Sequence, residues 1–73
     1  MSREEISEKI RNTADGYKRT AEGFASVSKF YANPDEFAAQ YIDCEKTSQL
    51  FGEIASRLGR VAELQYEAAK KYA

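Results

Sequence analysis

Ala32-Asn33-Pro34-Asp35-Glu36 is the stretch on which the fold of this chain turns. Asn33 is a preferred N-cap residue, Pro34 suits a first helical position, and Glu36 stands where a capping box places its acid. Asp35 and Glu36 also bring negative charge to the positive end of a helix dipole. Pro34 disfavours helical geometry at Asn33, which ends whatever comes before it. The stretch therefore predicts one helix ending near residue 31, a turn at 32–33 and a second helix starting at residue 34.

The residues before the turn read as one long helix over about 3–31. Ser2 and Glu5 have capping-box spacing, and Ile10, Tyr17, Phe24 and Tyr31 then recur every seven residues. Small residues run beside them: Ala14, Ala21 and Ser28 at plus four, with Thr13, Thr20 and Val27 at plus three. The residues after the turn repeat the pattern. Phe37, Cys44, Phe51, Leu58, Gln65 and Tyr72 form the seven-spaced series, and Tyr41, Ser48, Ala55, Ala62 and Ala69 lie at plus four. Such a repeat predicts helices packed at a shallow angle in a left-handed supercoil, with an alanine and serine seam that lets the backbones approach. Arg57-Leu58-Gly59-Arg60 resembles a helix end, which leaves a three-helix bundle as the alternative. The phase of both series passes through Gly59 unchanged, which favours one helix over about 34–72.

The expected fold is all-α: a single helical domain, residues 1–73, built as an antiparallel two-helix hairpin. At 1.5 Å per residue its helices span roughly 43 and 57 Å, so the segment from about Glu63 would overhang. Two helices leave both sides of their seam open. Phe30, Tyr31, Leu50, Leu64 and Tyr66 all need cover, and a four-helix bundle made by dimerisation or by a partner would supply it. The expected interface is Ile10, Tyr17, Phe24, Tyr31, Phe37, Phe51, Leu58, Tyr66 and Tyr72.

Composition narrows the function. The 73 residues are 42% hydrophobic and 32% charged, with no histidine, one proline and one cysteine. Without histidine the commonest general base and metal ligand are missing, and one cysteine allows no disulfide framework. Glu4, Glu5 and Glu8 read as acids at a helix N-terminus. Cys44 shares the ridge position of Phe37 and Phe51 and reads as a small filler. Gly16 and Gly23, and likewise Gly52 and Gly59, are seven apart: tolerated surface positions, or grooves for a close helix. The expectation is a non-enzymatic protein–protein interaction module with no cofactor and no metal, taking a protein partner or itself. A net charge of −1 offers no basic excess for phosphates. The alternative function is a dimeric four-helix bundle that binds nucleic acid through Lys18, Arg19 and neighbours on its outer faces. No apolar run approaches the ~20 residues of a membrane span, and Met1-Ser2-Arg3-Glu4-Glu5 is no secretory signal. The expected location is the cytoplasm.

Pro34-Asp35-Glu36-Phe37, followed by Glu45, Ile54 and Leu58 on the second helix, resembles the short helical-hairpin co-chaperones of bacterial type III secretion needle subunits. That resemblance implies a cytoplasmic protein that pairs with a helical-repeat chaperone and keeps a polymerising needle subunit soluble.

Overall fold

The computed structural model describes residues 1–73 as three helices: α1, Arg3–Ala32; α2, Glu36–Tyr41; and α3, Cys44–Tyr72. There is no strand. Ser2 caps α1 as expected, its hydroxyl oxygen accepting the Glu5 N–H at 3.1 Å.

The turn departs from expectation by two residues. Asn33 is the C-cap of α1, its N–H donating to the Phe30 carbonyl, and Asp35 is the N-cap of α2. The Asp35 carboxylate accepts the Ala38 N–H at 2.8 Å, a charge-assisted bond that a neutral Asn33 cap would not provide. Pro34 thus lies ahead of the cap rather than at the first helical position. It acts as a stop for α1.

The second helix is also not continuous over 34–72. Ile42 is extended (φ −129°, ψ 136°), and Asp43 starts α3 by accepting the Lys46 N–H at 3.0 Å. The seven-residue phase from Phe37 through Cys44 to Phe51 concealed this break, because two helices in phase share one pattern. Gly59, the expected weak point, lies inside α3 without interrupting it. The chain therefore has three helices, but the division falls at 42–43 and α2 is a six-residue link.

This division removes the expected overhang. With 30 and 29 residues, α1 and α3 are matched in length and lie antiparallel from end to end. Ser7 donates to the Ala69 carbonyl at 2.9 Å near the chain termini, and Ser28 donates to the Ser48 carbonyl at 2.7 Å near the turn. Both pairs obey one rule: residue i of α1 faces residue 76 − i of α3. Ala14 then faces Ala62, and Ala21 faces Ala55. Small residues at every seam position let the two backbones come together. The result is a rod whose Cα atoms extend 55 × 14 × 13 Å, one helix pair thick.

Only Ser7, Ala14, Ala21, Ala62 and Ala69 are buried, and no large side chain is fully enclosed. All five lie on the seam. Burying alanines removes little apolar area, so the seam by itself contributes only a modest hydrophobic term.

Candidate functional site

Each helix places its seven-spaced large residues along one flank of the seam. Phe24 stacks on Phe51 with ring centroids 5.6 Å apart, and Tyr31 stacks on the other side of Phe51 at 6.1 Å. These stacks put the α1 and α3 series on the same face. Ile10 and Gln65 line one shallow groove farther along it, with Leu64 and Ala68. Tyr17 and Leu58 occupy the intervening positions. Outside this ridge, α3 adds Leu50, Ile54 and Leu64, which remain 50%, 39% and 49% exposed. The face is a largely apolar strip, interrupted at Gln65, with no layer above it.

Six of the nine expected interface residues, Ile10, Tyr17, Phe24, Tyr31, Phe51 and Leu58, fall together on this strip. Tyr72 continues the same α3 series but is engaged at the open end, where the Arg3 guanidinium lies 5.3 Å from its ring centroid. Arg3 also donates to the Lys71 carbonyl. Phe37 is not part of the strip. It stands on α2, 74% exposed, its ring 5.1 Å from that of Tyr41.

Tyr66 lies on the opposite face, in a groove lined by Lys18, Ala25, Gly59 and Glu63. Its hydroxyl donates to the Asp15 carboxylate. That hydrogen bond, with partial desolvation and the Asp15 charge, raises the Tyr66 pKa above the usual tyrosine value, while Arg19 and Arg11 pull weakly the other way. The expected overhang contact made by Tyr66 is thus an internal one. The pairing of Asp15 with Tyr66, 51 residues apart, leaves no local spacing signal.

The glycines separate into two kinds. A Cβ on Gly52 would lie 3.3 Å from the Ser28 Oγ, so this glycine serves the close approach of α1 and α3. A Cβ on Gly16, Gly23 or Gly59 would meet nothing within 4 Å. Ser7 is the seam residue the sequence reading missed. It extends the Ala14–Ala21–Ser28 series backwards by seven, and the series itself was the signal.

Cys44 is a free, half-buried thiol in the ridge series beside Tyr31. No three His, Cys, Asp or Glu side chains converge as a metal site would require. No helix is long and apolar enough to cross a membrane. No family model, curated protein or solved structure matches the chain.

Proposed function

We propose that the chain is a protein–protein interaction module, non-enzymatic and cytoplasmic, whose aromatic strip is covered by helices from outside the chain. One observation carries this reading: Phe24, Phe51, Leu58 and the flanking Leu50, Ile54 and Leu64 form one apolar face with no second layer. Isolated exposed apolar residues are ordinary on protein surfaces, but a largely apolar strip along a whole rod marks an association surface. The alanine seam sets the two helices close, and the strip then presents two parallel ridges to an incoming helix pair. A small adaptor or co-chaperone is the class of protein this describes. The role implied by the resemblance, keeping a polymerising subunit in solution, would use the same strip.

The nucleic-acid alternative gains no comparable observation. Lys18 shares its groove with Glu22 and Glu63, and Arg60 pairs with Glu63 at 3.1 Å.

Thermal melts, binding of a hydrophobic dye and light scattering over a dilution series test the reading on the purified chain. An associated species, or a monomer that binds dye and melts without cooperativity, is expected, because the strip needs cover. A monomer that melts sharply and binds no dye would overturn it.

A further inference from the structure

We propose that the occupant of the aromatic strip is a second copy of this chain. The copy is related by a two-fold axis parallel to the helices, so that α1 of each copy covers α3 of the other. This inference rests on the interaction reading above and adds the partner and its orientation.

The two edges of the strip differ in size. Along the middle of the rod the α1 outer edge is Thr13, Gly16, Thr20 and Gly23, where the glycines border open space, and Val27 and Phe30 follow only toward the turn. On α3 it is Leu50, Ile54, Val61 and Leu64, with three of these left substantially exposed. A two-fold axis parallel to the helices sets Ile54, Val61 and Leu64 of each copy against the small stretch of the other, with Leu50 beside Val27 nearer the turn. Ridge then meets groove on both sides of the axis, as a self-complementary dimer interface requires. An axis across the helices would set small edge on small edge and large on large, which leaves a gap on one side and a collision on the other.

Charge follows the same arrangement. Within one copy residue i lies level with residue 76 − i, and an axis parallel to the helices keeps that register between copies. Glu5 of one copy is then level with Lys71 of the other, and Lys9 with Glu67. Both pairs are opposite in sign and exposed in the single chain. Arg19 and Arg57 also share a level. Both are exposed, with side chains long enough to turn outward into water.

The ridge agrees. To within one residue its levels are Ile10 with Gln65, Tyr17 with Leu58, Phe24 with Phe51, and Tyr31 with Cys44. An axis parallel to the helices returns each level to its own copy. The phenylalanines then form one four-ring layer, and the Gln65 amides meet each other, each able to donate and accept. A single polar layer of this kind specifies which way helices assemble.

The test uses the full chain with Cys44→Ala, so that introduced thiols are the only ones. Val27 and Leu50 stand on the outer edges of α1 and α3, and the proposed register brings Val27 of one copy to within one residue of the level of Leu50 of the other. The Val27→Cys/Leu50→Cys double variant is equilibrated in a glutathione redox buffer and the linked peptides are identified by mass spectrometry, with light scattering on the unlinked chain. Twice the 8.3 kDa chain mass and interchain 27–50 disulfides are expected. Phe51→Asp should raise the dimer dissociation constant ~30-fold or more, as loss of a central aromatic anchor does. Disulfides joining 27 to 27 or 50 to 50 would overturn the orientation. A dye-binding monomer without cooperative melting would overturn the dimer and leave the interaction reading standing. A sharply melting monomer would overturn both.

Discussion

Ser28 and Ser48 each donate a hydroxyl hydrogen bond to the other's backbone carbonyl, at 2.7 and 2.8 Å, across the seam between α1 and α3. The two bonds are nearly symmetric, and the hydroxyl oxygens are themselves 3.3 Å apart. A pair of small polar residues therefore fastens the turn end of the rod, where alanines could fit but could not bond. Each such bond has a net worth of about 1 kcal/mol. Ser28→Ala and Ser48→Ala should each destabilise the chain by about that amount. A double-mutant cycle by urea denaturation should give a coupling of about 0.5 kcal/mol or more, because the residues touch. Strict additivity would mean that the two bonds form independently.

The glycines of α3 should respond unequally to alanine. Gly59→Ala adds a methyl into open space and removes the helical penalty of glycine, so a gain of about 1 kcal/mol is expected. Gly52→Ala gains the same propensity but sets its methyl 3.3 Å from the Ser28 Oγ, which its bond to the Ser48 carbonyl holds in place. Most of its gain should be lost. Equal gains in urea midpoint at constant slope would show that Ser28 yields freely.

Asp43 decides whether the region after the turn is one helix or two. Its carboxylate caps α3, and loss of such a cap costs about 1 kcal/mol. Asp43→Ala should lower stability by that much without raising far-ultraviolet helicity. A rise in helicity with no loss of stability would mean that residues 36–72 run as one helix in solution.

Tyr66 gives the chain an alkaline limit. The Asp15 carboxylate holds the Tyr66 proton, so the folded pKa is raised above the unfolded value of 10.0. The contribution is complete below that value and is lost as pH rises through the folded pKa. Urea denaturation at pH 8 and at pH 11 should show a loss of stability in the native chain that is smaller in Tyr66→Phe. Parallel losses in the two would place Tyr66 away from Asp15.

Much of this architecture was legible from residue spacing. Ile10, Tyr17, Phe24, Phe51 and Leu58 recur with the helical seam, and alanine and serine run beside them, so the pattern specifies both the ridge and the close approach. Periodicity is blind to a break that preserves phase, and for that reason Ile42–Asp43 was hidden while Gly59 drew suspicion. The same blindness produced the expected overhang, since a second helix begun at residue 34 is too long for α1. Cap choice was equally local in appearance: Asn33 and Asp35 both carry capping side chains, and the charged one holds α2. Tyr66 was misplaced because its partner, Asp15, comes from α1 and only the antiparallel register brings the two together.

That register also orders the seam in time. The Ser28–Ser48 bonds span 20 residues of chain and the Ser7–Ala69 bond spans 62. The entropy lost in closing a loop grows with its length, so contacts beside the turn form at the smallest penalty and each one shortens the loop left to close. Assembly then proceeds like a zip from Ser28 toward Ser7. Opening runs in reverse, beginning where Arg3 rests on Tyr72, and amide exchange should slow steadily from the paired chain ends toward the turn.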